Sequence, residues 1–270
     1  MSATAPPHPD NPPDQRNGLE LSRSGGIVTL TIARPSKKNA VSPAGWATLL
    51  DMLSGLPGPG DRVLVVTGEG QDFCAGADLS AERVDGGSPA QMMRVVGDAC
   101  LALHRLTIPT VARVDGVAVG AGMNLALGCD FVVATDRARF SQIFVKRGLS
   151  LDFGGSWILP RLVGLHRAKQ LGLLGEIISG SLARDYGLVH RLVSPEQLDD
   201  TVAELVDVLR TGPPIAMAGI KAQLNNAFDV TLQQALDDEA RIQAANLVLE
   251  DAQEAALAFL EKRAPVFRGR

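Results

Sequence analysis

The first clear pattern in the chain is an alternation. In Gly26-Ile27-Val28-Thr29-Leu30-Thr31-Ile32-Ala33 the apolar Val28, Leu30 and Ile32 fall on one face, which predicts a strand, and Arg34-Pro35 ends it. Ser42-Pro43 then opens a helix, because serine caps and proline fits the first helical position; Trp46, Leu49, Leu50 and Leu53 share one side of it. The same rhythm continues with a strand at Arg62 to Thr67, a helix from Pro89 to about Leu106 and a strand at Thr110 to Val114. A helix of small residues ends near Gly128, followed by short strands at Phe131 to Ala134 and Arg139 to Gln142. From His166 onward the spacing is mainly helical. Ser194-Pro195-Glu196-Gln197 joins a cap, a first-turn proline and a capping-box glutamine. Leu232, Leu236 and Ala240, then Ala252, Ala256 and Leu260, recur at helical intervals. Strand–helix alternation followed by helices predicts an α/β core over 19–200 and a helical C-terminal region over 201–270.

Composition narrows the function classes. With 270 residues, 46% of them hydrophobic, the chain can bury one large core. A net charge of -4 and only 4% aromatic residues argue against nucleic-acid binding, which needs cations for phosphates and rings for bases. The apolar runs are too short for a membrane span. Residues 1–18 carry Pro6, Pro7, Pro9, Pro12 and Pro13 and read as a disordered arm without the basic and apolar regions of a secretory signal. Cys74, Cys100 and Cys129 are odd in number and widely spaced, and the four histidines are scattered. The expectation is a reduced, cytoplasmic protein with no disulfide framework and no metal.

Two segments carry candidate chemistry. Phe73-Cys74-Ala75-Gly76-Ala77-Asp78-Leu79 follows the apolar run Val63-Leu64-Val65-Val66 and the turn Gly68-Glu69-Gly70. Small residues let a ligand approach the backbone, where a free N–H can donate to a developing oxyanion; the same stretch also serves as a plain turn. Gly116 to Gly122 is the second. It fails the dinucleotide pattern, because Gly120-Ala121-Gly122 is followed by Leu125 where a glycine is required, and the chain holds no Walker A sequence and no G-x-S-x-G elbow. What remains is a tight turn into a helix N-terminus, which stabilises negative charge, or a helix packed closely on a sheet through small residues.

Together these segments resemble the crotonase superfamily, the enoyl-CoA hydratase/isomerase family. The resemblance runs from about Gly18 to the C-terminus. It includes Arg34-Pro35-Ser36-Lys37-Lys38-Asn39-Ala40, the Phe73 to Leu79 run, Asp115-Gly116 through Gly120-Ala121-Gly122, Cys129-Asp130, Phe140-Ser141-Gln142 and the closing Glu261-Lys262-Arg263 with Phe267. Each motif is weak alone, but all of them in order at family spacing are highly specific. The resemblance implies a spiral of β-β-α turns, a C-terminal helical region used in trimer assembly, and an acyl-CoA thioester as ligand. It implies a homotrimer or dimer of trimers and no cofactor beyond the coenzyme A of the substrate. By position the resemblance implies that the N–H groups of Ala77 and Ala121 form an oxyanion hole and that Lys37, Ala75, Asp78, Gly120 and Phe144 bind substrate.

The chain departs from the hydratase pattern where hydration chemistry resides. The family's hydratases place two glutamates around the water and the acyl double bond; the matching positions here are Asn124 and Phe144. Hydration needs a base for the water and an acid for the α-carbon. Asn124 can orient a water but cannot exchange a proton near pH 7, and Phe144 can do neither. One acid remains, in Leu149-Ser150-Leu151-Asp152-Phe153-Gly154-Gly155-Ser156-Trp157. This stretch resembles the P-D-x-G-G-[ST]-W segment of isomerase-like members, whose aspartate is an acid/base, with Leu151 in the place of proline. Asp152 among Leu, Phe and Trp has a raised pKa if buried; alternatively it caps the Gly154-Gly155 turn or pairs with Arg147 or Arg161. One carboxylate suffices to move a proton from the α- to the γ-carbon of a 3-enoyl-CoA, so the expected activity is double-bond isomerisation. The alternatives are a hydratase of weak activity and a non-catalytic acyl-CoA binder. Lys37 and Lys38 lie where the family runs near the nucleotide end of CoA, or are solvated lysines. Asp78 is expected to cap a helix and Cys74 to be a buried filler. The polar stretch Ser80 to Ser88 is expected to be a mobile loop that, with the residues to Met93, shapes the acyl pocket.

Overall fold

The computed structural model describes residues 13–80 and 88–270. The interior of the expected Ser80 to Ser88 loop, residues 81–87, and most of the expected arm therefore lie outside the described residues. The part of the arm that is described departs from expectation, because β1 (Asp14–Arg16) pairs antiparallel with β2 (Leu19–Ser24), which pairs antiparallel with β3 (Ile27–Ile32). Backbone pairing to an adjacent strand edge orders residues that have no apolar side chains to bury.

The chain then repeats a strand, a second short strand or bridge, and a helix. The elements are α1 (Pro43–Ser54), β4 (Val63–Gly68), α2 (Pro89–His104), β5 (Thr110–Val114), β6 (Val117–Val119), α3 (Ala121–Leu127), β7 (Phe131–Thr135), β8 (Arg139–Ser141) and α4 (Gly155–Leu174). β9 (Ile178–Ser179), α5 (Gly180–Asp185), β10 (Arg191–Val193), α6 (Leu198–Thr211), α7 (Pro214–Asn226), α8 (Leu232–Leu247) and α9 (Glu250–Glu261) complete the chain. The Ser42 cap predicted from sequence forms, with Ser42 Oγ accepting from Gly45 N at 3.1 Å, and at the start of α2 Ser88 closes a capping box with Gln91. Ser194 to Gln197 forms a capping box on one 3-10 turn that leads into α6.

The first strands of the repeats make one sheet in the order β1-β2-β3-β4-β5-β7-β10, parallel from β3 onward. The second strands make a smaller layer. β6 pairs with β8 and β8 with β9, and single bridges Val41↔Ala77 and Cys74↔Ala118 extend the same stacking to the earlier repeats. Both faces of the large sheet are covered, as a parallel sheet requires. Leu64 and Val66 of β4 face the core beneath α1 to α4, while Val63 and Val65 face α6 through Leu198, Val202, Leu205, Val206 and Leu209. The boundary drawn at residue 200 thus falls inside α6, which packs on the sheet; the separate helical region starts at α7. α7 and α8 contain no fully buried residue. Among the described residues no helix is long and apolar enough to cross a membrane.

Candidate active site

The small layer brings the two small-residue segments together. Cys74 donates to Val117 O at 2.8 Å and Val119 donates back to Cys74 O at 3.0 Å. Gly76 has φ +85, and a Cβ there would lie 2.9 Å from Val119 O and 3.4 Å from Ala121 N. Only glycine fits that conformation and that approach. On its other side the turn is tied to Val41, which donates to Gly76 O at 2.8 Å and accepts from Asp78 N at 2.9 Å. Those two bonds turn the Ala77 N–H away from Val41. Ala121 is the first residue of α3, so its N–H has no acceptor within the helix. Among the described residues neither the Ala77 nor the Ala121 N–H has a recorded acceptor. Ala77 is exposed and Ala121 is buried.

The loop that carries this turn is pinned from outside. Asn39, fully buried, donates to Glu69 O at 2.9 Å and Asp72 O at 2.6 Å and accepts from Arg34 N at 2.9 Å. Arg34 pairs with Asp78 at 2.8 Å. Asp78 does not begin a helix among the described residues; it closes a turn, accepting from Ser80 N at 3.0 Å and Ser80 Oγ at 2.7 Å. These hydrogen bonds from Ser80 and Arg34 pull its carboxyl down to about 2. Lys37 is exposed on the same rim, with Nζ 3.1 Å from Ser80 Oγ, and Ala75 N donates to Lys38 O at 2.9 Å. Cys74 is the buried filler expected, its thiol pushed up to about 12 by burial.

Asp152 sits in the loop before α4. It is followed by Phe153 at φ 43 and Gly154 at φ +72, two left-handed residues in succession. For phenylalanine this conformation is strained, and it is held by burying the ring against Trp46 with centroids 5.6 Å apart. The Asp152 carboxyl does not pair with Arg147 or Arg161. Arg161 instead reaches Asp229 at 3.2 Å and stacks on Trp157. Oδ1 of Asp152 is buried without a hydrogen-bond partner, and burial pushes the group up to about 6. The Gly154-Gly155 turn is closed by the Asp152 backbone carbonyl, accepting from Gly155 N at 2.9 Å, not by its side chain.

Asn124 on α3 is fully buried, and its side chain is committed to the protein. Its Nδ2 donates to the Asp152 carbonyl at 2.8 Å and its Oδ1 accepts from Gln142 Nε2 at 2.7 Å. These two bonds tie α3 to the Asp152 loop and to Gln142. Gln142 was not singled out as a site residue; only the tertiary meeting of residues 124, 142 and 152 reveals it. Phe144 is buried, and its ring lies 3.7 Å from where a Cβ on Gly120 would stand, so it walls the tip of α3. Two clefts of about 500 and 520 Å³ lie between α2, α4 and α7, lined by His104, Trp157 and Lys221. Gly154 reaches the first of them, but neither is lined by Ala77, Ala121 or Asp152.

The family model described as enoyl-CoA hydratase/isomerase matches residues 22–270. The 1,2-epoxyphenylacetyl-CoA isomerase of Escherichia coli K12 is 38% identical over 251 residues, covering 91% of this chain and 96% of that protein. The enoyl-CoA hydratase of Mycobacterium smegmatis superposes with a TM-score of 0.87 at 34% identity, covering 93% of this chain and 99% of that one. A Thermobifida fusca protein solved in complex with acetoacetyl-CoA superposes with a TM-score of 0.80 at 33% identity, covering 86% and 95%.

Proposed function

The chain belongs to the enoyl-CoA hydratase/isomerase family, and we propose that within it this protein shifts a double bond in an enoyl-CoA thioester, with Asp152 as the acid/base. The carrying observation is the half-buried Asp152 carboxyl, whose Oδ1 is buried without a partner and which burial raises to about 6. The two positions where the family's hydratases hold glutamates are the committed amide Asn124 and the buried ring of Phe144.

The chemistry follows from these groups. The thioester carbonyl oxygen accepts from the Ala77 and Ala121 N–H groups. Removal of the α-proton by Asp152 sends charge onto that oxygen, where two oriented donors stabilise it; loss of one such donor costs about 3–4 kcal/mol in comparable sites. The dienolate then takes the proton back from Asp152 at the γ-carbon. No net proton is gained or lost, so one carboxyl serves as base and then as acid. An acid near pH 6 is suited to both halves of that exchange. Hydration would need a second proton-transfer group beside the attacking water, and Phe144 offers none. The coenzyme A of the substrate would pass the rim where Lys37 is exposed; the acetoacetyl-CoA complex of a structural relative supports acyl-CoA as the ligand class. The exposed apolar faces of α7 to α9 support the homotrimer, or dimer of trimers, that the family resemblance implies.

Incubation with 3-enoyl-CoA and, separately, with 2-enoyl-CoA tests this reading. The expected result is conversion of the 3-enoyl to the conjugated 2-enoyl thioester, with no appreciable water addition to the latter. Rapid hydration would replace the reading with hydratase activity. Binding of both thioesters without reaction would replace it with an acyl-CoA binder.

A further inference from the structure

The hydrogen-bonded line Gln142–Asn124–Asp152 ends on the backbone of the proposed acid/base, and we infer that Gln142 and Asn124 are positioning residues that set where the Asp152 carboxyl points. The inference rests on the reading of Asp152 as acid/base and supplies the device that aims it.

The direction of the line is fixed by its last member. The Asp152 carbonyl can only accept, so Asn124 must present Nδ2 to it, at 2.8 Å. Oδ1 of Asn124 is then turned to Gln142, which must present Nε2, at 2.7 Å. Both amides are fully buried, so water does not compete for these bonds. The Oε1 of Gln142 is left buried and without a partner, as is Oδ1 of Asp152. Native structures seldom keep such orphans, and two on one line mark a place where stability is given up for orientation.

What the line restrains is a segment that would otherwise relax. Asp152 precedes two left-handed residues, Phe153 and Gly154, the first of them strained. Gly155 packs directly on the Asn124 amide, so that any Cβ at residue 155 would overlap it. The tether and the packing hold the loop backbone against Asn124 of α3. No charged group raises the Asp152 carboxyl; burial alone does so. Among its neighbours, the Cys100 thiol lies against Gly154 and is itself pushed up to about 11, hence neutral. Arg161 is engaged by Asp229 and the Trp157 carbonyl. A displaced loop would therefore be reported by the titration of Asp152 itself.

The test compares wild type with Gln142→Met, which keeps the volume and removes the donor, and with Asn124→Leu. Turnover of 3-enoyl-CoA is measured beside the Asp152 titration, read by carbon-13 NMR of aspartate-labelled protein with Asp152→Asn assigning the signal. Both variants are expected to lower kcat by roughly tenfold to a hundredfold, since small misplacements of a reacting group cost that much, with KM within about twofold. The Asp152 titration is expected to move down from its wild-type position toward that of an ordinary carboxylate. If Asn124→Leu does not fold, Gln142→Met decides alone. Unchanged turnover and titration overturn the inference. So does a fall in kcat with an unmoved titration, because the loss then does not pass through Asp152. If wild type fails to isomerise, or Asp152→Asn isomerises as well as wild type, the acid/base reading falls, and the NMR titration still decides the positioning.

Discussion

Asp152 is both the proposed acid/base and a cost to the fold. Burial favours its neutral form, so its contribution to stability is fully present below about pH 4 and is lost as pH rises through about 6. A rise of this size corresponds to about 3 kcal/mol at most. Asp152→Asn, neutral at every pH, is therefore expected to raise unfolding stability at pH 7.5 by ~1–3 kcal/mol and to give no gain at pH 4, as read by urea denaturation at both values. An equal gain at the two pH values would mean that the side chain is not buried as a carboxylate. At this scale part of the proposed site is legible in the sequence. Asp152 stood out as an acid among apolar neighbours, and Ala77 and Ala121 stood out through their motifs. Asn124 could be read as lacking a proton, but its bond to the Asp152 carbonyl spans 28 residues and is a product of tertiary packing. Asp78 looked like a cap and proved to cap a turn, because Arg34 and Ser80 claim its oxygens.

At the scale of elements, the proposed oxyanion site depends on how closely α3 approaches the Phe73 to Leu79 run. Gly122 lies directly on the Cys74 carbonyl, so a Cβ there overlaps backbone that cannot give way cheaply. Gly122→Ala is expected to cost about 1–3 kcal/mol, the usual range for overpacking a close-fitted core, and to lower kcat by separating the Ala77 and Ala121 N–H groups. Thermal unfolding and steady-state turnover check it; an undisturbed kcat would show that the spacing of those groups is not critical. The long periodic elements were legible because their apolar faces are regular. The strands at 117–119, 178–179 and 191–193 were missed, since two or three residues are too few to show alternation and each is fixed by its neighbour across the layer. The helical character read from His166 onward thus holds for most of that stretch but is interrupted twice by strand pairing.

For the whole molecule, the C-terminal helices expose large apolar side chains. Phe228, Leu232, Leu247, Phe259 and Leu260 are exposed, Phe259 to 84%. A monomer rarely leaves so many large apolar side chains in water, and such surfaces mark protein contacts. Light scattering on a sizing column is expected to give the mass of three or six chains, with Phe259→Asp and Leu260→Asp together shifting it toward one. A monomeric wild type would contradict the proposed assembly. The helical periodicity of this region was legible, but its apolar face points out of the single chain, which no pattern within one sequence specifies. The central claim is the proposed role of Asp152 as acid/base. It is tested most directly by the kcat of Asp152→Asn on 3-enoyl-CoA at pH 7.5, beside the pH dependence of the wild type. The account predicts a loss of roughly a thousandfold with little change in KM, and a wild-type kcat/KM that falls as pH drops below about 6. Turnover by Asp152→Asn at the wild-type rate would contradict it.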